Sequence, residues 1–317
     1  MQLVRGLHNL RPRHRGCVAT IGNYDGVHLG HQHMLAALIR RASELTVPSV
    51  VVSFEPSPRE FFAGSAAPVR LTRFREKFAA LCRFGVDRFV CLRFDAAMQK
   101  IRPREFVDQV LVERLGVKTM VVGHDFRFAY RREGTVEMLR SLASERGFDV
   151  EVIDPFLLDG ERVSSSRVRA ALVRGDLDDA NRLLGRPYRI SGRVATGLRL
   201  GRRLGFPTAN LRLGRRTPPL GGVFAVRVHG RGLSHAPGVA SLGTRPTVDG
   251  KEPLLEVHVF DFDGDLYRTR LAVDFVRRLR EERWFPSVDA LVEQMRRDAD
   301  EARSSLAQPS GPPTSRV

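Results

Sequence analysis

The first half of the chain alternates short apolar runs with stretches whose apolar residues recur at helical spacing. Runs at 17–21, 49–54, 88–92, 118–123 and 148–153 are apolar almost throughout, the pattern of parallel strands buried on both faces. Between them, amphipathic segments at about 31–45, 72–84, 103–115 and 133–146 predict helices. The alternation predicts an α/β domain, a Rossmann-like parallel sheet with helices on both faces. Two short helices are predicted near 164–174 and 176–184, each opened by a Ser or Asp cap.

The period changes after Gly185-Arg186-Pro187. Alternating runs at 189–195, 222–229, 238–243, 254–261 and 270–276, broken by Gly, Pro and Asp clusters, predict an antiparallel β-barrel or sandwich. A terminal helix is expected from about Val288 to Ala302, and the Ser- and Pro-rich segment 304–317 is expected to be disordered. The expected division is therefore 1–184, 185–303 and a tail, 304–317.

A length of 317 residues suits two domains. No apolar window reaches the length of a membrane span, and Met1–His8 lacks the apolar core of a signal peptide. The three cysteines, Cys17, Cys82 and Cys91, are odd in number and form no close metal-ligand pair. Cys17 and Cys91 lie in apolar runs and are expected as buried thiols, which fits a cytoplasmic setting. The net charge of +16 raises nucleic-acid binding. Yet only four of the 52 basic residues are lysine, and the arginines are scattered. No basic strip is interleaved with the aromatics that single strands stack on. Salt-sensitive polyanion binding is expected from charge alone, with neither a specific nucleic acid nor a membrane as partner.

The densest candidate chemistry lies in Thr20-Ile-Gly-Asn-Tyr-Asp-Gly-Val-His-Leu-Gly-His31, where a predicted strand hands over to a helix. Gly22, Gly26 and Gly30 let the backbone turn tightly and approach a ligand. Free N–H groups at a helix start suit an anion, and His28 and His31 add donors for a phosphate. Asp25 lies within the same turn. Three further clusters follow strands or open helices. Phe54–Phe62 is a proline-bracketed loop with aromatics, Gly123-His-Asp-Phe-Arg-Phe128 follows the fourth strand, and Ser164-Ser-Ser-Arg-Val-Arg169 sets hydroxyls and guanidiniums at a helix start. Serines before a helix are most often caps. Together with the other clusters, however, they favour a nucleotide site.

These residues resemble the bacterial bifunctional riboflavin kinase/FAD synthetase family over about 10–303. His28-Leu-Gly-His31 is similar to the His-x-Gly-His signature of its FMN adenylyltransferase domain, a nucleotidyltransferase. Ser164–Arg169 is similar to its Ser-Ser-Thr-x-x-Arg motif, with Ser166 in place of Thr. Gly201-Arg-Arg-Leu-Gly-Phe-Pro-Thr-Ala-Asn210, Gly243–Thr247 and Leu255–Gly264 resemble the riboflavin kinase barrel. The resemblance implies phosphorylation of riboflavin by ATP to FMN, then adenylyl transfer from ATP to FMN, giving FAD and pyrophosphate. In the kinase step Glu256 would be the base, and Thr208 and Asn210 would hold Mg²⁺. Gly201 and Arg202 belong to the loop over the ATP phosphates. In the adenylyl step the nucleophile is a phosphate already ionised near neutrality, so no protein base is needed. His28, His31, Ser165, Ser166, Arg169 and Arg162 would stabilise charge on the phosphates, and Gly22, Asp25 and Gly30 would belong to the same nucleotide- and phosphate-binding set. Phe62, Asp125 and Phe128 would meet the flavin. Two departures stand out: Ser57 where the family usually has His, and His124 where it is commonly acidic. They raise the alternative of a kinase with weak or lost adenylyltransferase activity.

Overall fold

The strand Cys17–Ile21 sits at the middle of a six-stranded sheet because four of its five residues are buried. The computed structural model describes residues 1–195, 201, 204–213, 218–247 and 250–307. Arg202 and the segment 308–317 lie outside them. The chain divides into two compact units, one made of Met1–Pro68 and Arg73–Val163, the other of Val69–Thr72 and the residues from Ser164 onward.

In the first unit the strands are β1 (Gln2–Arg5), β2 (Cys17–Ile21), β3 (Ser49–Phe54), β4 (Arg88–Leu92), β5 (Val117–Gly123) and β6 (Asp149–Ile153). They pair in the order β1-β4-β3-β2-β5-β6, all parallel. Successive side chains of a strand point to opposite faces, and both faces are covered here. Val50 and Val52 pack against the helical segments Phe106–Leu115 and Val136–Arg146. Val51, between them, joins Val18 and Phe89 against the helices Leu29–Glu44 and Phe74–Arg83. Two-sided burial is why the strands read as continuous apolar runs. The edge strand β1 was not among the expected elements. A two-stranded ribbon, β7 (Leu157–Leu158) and β8 (Glu161–Arg162), closes this unit.

In the second unit the helices Ser165–Arg174 and Leu177–Leu184 precede β9 (Tyr188–Ala195), β10 (Ala209–Arg212), β11 (Gly222–Gly230), β12 (Leu233–Thr247), β13 (Gly250–Val259) and β14 (Arg270–Arg280). The six strands close into a barrel in the order β10-β13-β12-β11-β14-β9, every pair antiparallel, which settles barrel against sandwich. Leu211, Leu255, Val257, Phe224 and Phe275 are fully buried. The terminal helix Val288–Ala307 lays Ala299, Ala302 and Leu306 against Ala225 and Phe260. It runs five residues past the expected end at Ala302 and takes in the first residues of the expected tail. Buried Asp298 pins it, accepting hydrogen bonds from Arg280 Nε (2.9 Å) and Nη2 (2.7 Å).

Candidate active sites

The turn between β2 and the helix Leu29–Glu44 is tightly constrained. Tyr24 and Val27 take left-handed φ values of 49° and 43°, Gly26 takes 85°, and Tyr24 and Val27 are buried. A β-branched residue in that region is strained, so packing must hold it there. The Tyr24 hydroxyl donates to Thr20 Oγ1 at 2.9 Å and anchors the turn on β2. Burial pushes the Tyr24 phenol up. His28 is the N-cap of the helix, and its Nδ1 accepts the His31 backbone N–H at 3.4 Å. A neutral His28 therefore carries its proton on Nε2. A Cβ at position 30 would lie 3.1 Å from the Val163 carbonyl oxygen and 3.3 Å from the His28 ring, so any larger residue there would press on both.

The two imidazoles are stacked, with ring centroids 3.7 Å apart and planes 20° apart, and Tyr24 tilts against His31 at 4.9 Å. His28 is buried. His31 Nδ1 is shielded from solvent and has no hydrogen-bond partner among the described residues. Burial, then the neighbouring His28, Lys77 and Arg162, hold the His31 ring well below the ordinary histidine range. Both imidazoles thus stand at a helix N-terminus, with the His31 ring favoured in its neutral form.

Around them the expected residues fall in distinct places. Gly22 follows β2, where its N–H donates to the Val52 carbonyl at 3.1 Å, and Asp25 is half-buried in the turn. Asp125 and Arg162 form a two-point ion pair at 2.6 and 3.2 Å, both about half exposed. The Arg162 guanidinium holds the Asp125 carboxyl below its usual range. Phe62 is 62% exposed and belongs to an edge-on cluster with Phe61 and Phe94. Phe128, by contrast, is a core side chain, 7% exposed, with the half-buried Phe126 stacked on it at 5.6 Å. Ser57, the departure from the family pattern, caps the helix Pro58–Ala63 in a reciprocal box with Glu60.

In the second unit Ser164 caps the helix Ser165–Arg174 by accepting the Arg167 N–H, as capping preference predicts. Ser165 and Ser166 open its first turn, and Arg169 Nε donates to the Val69 carbonyl at 2.7 Å.

On the barrel, Asn210 of β10 and Ser241 of β12 both stand directly opposite Glu256 of β13. Directly paired residues share a face. Leu255 and Val257 point inward, so Glu256 lies on the outer face, half-buried. A cavity of about 610 Å³ opens there, and Thr208, Ser241 and Glu256 line it from the barrel side. Trp284, Phe285, Leu291 and Met295 line it as well. That volume lies within the range of small-molecule pockets. Glu282 also lines the cavity and accepts from Ser241 Oγ at 3.4 Å. Gly201 lies in a tight turn, its carbonyl accepting the Phe206 N–H at 2.8 Å. A Cβ there would sit 2.3 Å from the Phe206 carbonyl oxygen and 3.1 Å from Thr208 Oγ1. The aromatic wall at 284–285 was not singled out from sequence, although a Trp-Phe pair between a charged run and a helix-opening serine was the available signal.

A family model described as FAD synthetase matches residues 10–167, and one described as riboflavin kinase matches 184–306. A protein of Pseudomonas fluorescens named bifunctional riboflavin kinase/FMN adenylyltransferase is 54% identical over 98% of this chain and 99% of its own. The chain belongs to the bifunctional riboflavin kinase/FAD synthetase family. Relatives of the same name from Haemophilus influenzae and Escherichia coli K12 are 45% and 46% identical, each over 96% of this chain. A crystal structure titled macrolide-efflux protein, from Streptococcus pneumoniae, is similar over 96% of this chain and 99% of its own, with a TM-score of 0.84 at 29% identity. Both family domains are present here, which favours the bifunctional reading over a kinase alone.

Proposed function

We propose that the second unit phosphorylates riboflavin and that the first carries the imidazole pair for adenylyl transfer to FMN. Both reactions take ATP. The observation that carries the kinase half is Glu256 and Thr208 on one cavity wall, with Asn210, which does not line the cavity, paired with Glu256 across the ladder. A ribityl hydroxyl is neutral and needs a proton acceptor as it attacks the γ-phosphorus, a role Glu256 fills by type and place. The flavin ring fits against Trp284 and Phe285, and the ribityl chain runs toward Glu256.

Family membership implies a divalent cation, and the donors present fit one. The Thr208 hydroxyl and Asn210 amide oxygen are hard oxygens next to a carboxylate. They would hold Mg²⁺, which supplies charge neutralisation at the ATP phosphates. Gly201 keeps the preceding turn tight against Thr208, so the hydroxyl is positioned before substrate binds.

The adenylyl half follows from the stacked imidazoles. The FMN phosphate oxygen attacks the α-phosphorus of ATP, and pyrophosphate leaves with its bonding pair. No proton need be removed from the nucleophile. His28 and His31 donate to the developing charge at the helix N-terminus. Asp125 orients the Arg162 guanidinium, and Phe62 offers the flavin an exposed ring face. Free, partly buried thiols suit a cytoplasmic setting, and no helix among the described residues is long and apolar enough to cross a membrane. Product analysis tests the whole reading. Incubation with riboflavin, ATP and Mg²⁺ should yield FMN and then FAD, and accumulation of FMN alone would reject it.

A further inference from the structure

His258 stands two residues after Glu256 on β13 and shares its outer face, since Val257 between them and Val259 beyond are buried. It lines the same cavity as Glu256 and Thr208. Edge-on contacts with Phe206 and Phe260, at centroid distances of 5.4 and 5.7 Å, hold its ring. Its Nδ1 lies 2.9 Å from the Pro207 carbonyl oxygen. A carbonyl only accepts, so this nitrogen carries a proton, and in the neutral ring Nε2 is the bare acceptor.

Thr208 has need of such a hold. The β10–β13 ladder begins at Ala209 opposite Val257, so Thr208 lies just outside the paired strand. Before it, the turn closes on the Gly201 carbonyl, which accepts the Leu204 and Phe206 N–H groups at 3.1 and 2.8 Å. Pro207 has no N–H, so its carbonyl is the only backbone group through which it can be tied. The bond from His258 ties it, and Thr208 then sits between two fixed neighbours, Pro207 and Ala209. We propose that His258 is a positioning residue of the kinase site, whose Nδ1–H fastens Pro207 and so sets the Thr208 hydroxyl on the wall it shares with Glu256. The inference rests on the reading of Thr208 as a cation ligand and Glu256 as the base.

Two variants separate the bond from the bulk. His258→Phe keeps a ring against Phe206 and Phe260 and loses the donor, whereas His258→Asn loses the ring and keeps an amide N–H at about the reach of Nδ1. In His258→Phe, kcat for FMN formation should fall about tenfold, as loss of one well-placed hydrogen bond implies. The Mg²⁺ requirement should rise, while the KM for riboflavin and the conversion of supplied FMN to FAD stay unchanged. His258→Asn should recover most of the rate. The reverse order, with the Phe variant active and the Asn variant not, would make the ring a packing element and overturn the proposal. A raised riboflavin KM at unchanged kcat would make it a flavin contact and overturn it equally. Ring ¹⁵N NMR of the wild-type protein, assigned by through-bond correlation to the backbone, should place the His258 proton on Nδ1 at about pH 8, where free imidazole is neutral. A proton on Nε2 overturns the proposal even if neither variant folds. Full FMN formation by Thr208→Ala would reject the reading beneath the proposal, whichever tautomer His258 shows.

Discussion

Asn210 on β10 and Glu256 on β13 are direct partners across an antiparallel ladder, so an amide and a carboxylate stand side by side on the barrel's outer face. Their neighbours Leu211 and Leu255, also partners, fill the interior beneath them. A rigid closed sheet therefore fixes the spacing of the proposed cation ligand and the proposed base. A site on strands needs little reorganisation when substrate arrives.

Trp284 is the only tryptophan in the chain, 83% exposed on the cavity wall. Riboflavin bound in that cavity would stack near it and quench its emission. Titration with riboflavin should give a saturable loss of fluorescence, and Trp284→Ala should weaken binding several-fold, as stacking worth about 1 kcal/mol implies. An emission unchanged at saturating riboflavin would place the flavin elsewhere.

Gly201→Ala forces the turn apart, because its Cβ would collide with the Phe206 carbonyl. Thr208 follows that turn and would shift with it. Misplacement by about 1 Å costs on the order of 100-fold in rate. Riboflavin phosphorylation should fall by about that factor, while FMN adenylylation keeps its rate. Steady-state rates with each substrate supplied separately check both halves.

His14 is buried, and its Nδ1 accepts the Arg11 N–H at 2.9 Å. Burial, reinforced by Arg88, Arg13 and Arg11, lowers its proton affinity below the ordinary histidine value of 6.5. The unfolded chain thus takes up a proton that the folded one refuses. The stability from neutral His14 is complete above about pH 6.5 and declines as pH falls below it, by about 1.4 kcal/mol per pH unit until the folded ring also titrates. Urea midpoints at pH 7.5 and 5.5 should differ less in His14→Gln than in wild type. His31 contributes in the same sense, so a part of the slope remains. Equal slopes in the two proteins would show that His14 is not the source.

Sequence pattern located β2, β3 and β4 to the residue, because strands buried on both faces carry an unbroken apolar signal that ends where the chain turns. It missed β1 and β10, four residues each, in which an edge or a brief alternation cannot be told from a turn. Thr208 and Asn210 became candidates through their family motif, and pairing across the barrel explains their neighbourhood to Glu256. Aromatic type alone did not separate Phe62, which is exposed, from Phe128, which is packed in the core. The Trp284 wall arises from residues distant in sequence, beyond the reach of local periodicity.

The most direct measurement is a paired product assay on Glu256→Gln and His31→Ala, each given riboflavin or FMN with ATP and Mg²⁺. Glu256→Gln should form no FMN from riboflavin yet convert supplied FMN to FAD at the wild-type rate. His31→Ala should form FMN normally and lose FAD formation. Loss of both products in either variant, with the fold intact by circular dichroism, would contradict two separate sets of catalytic groups.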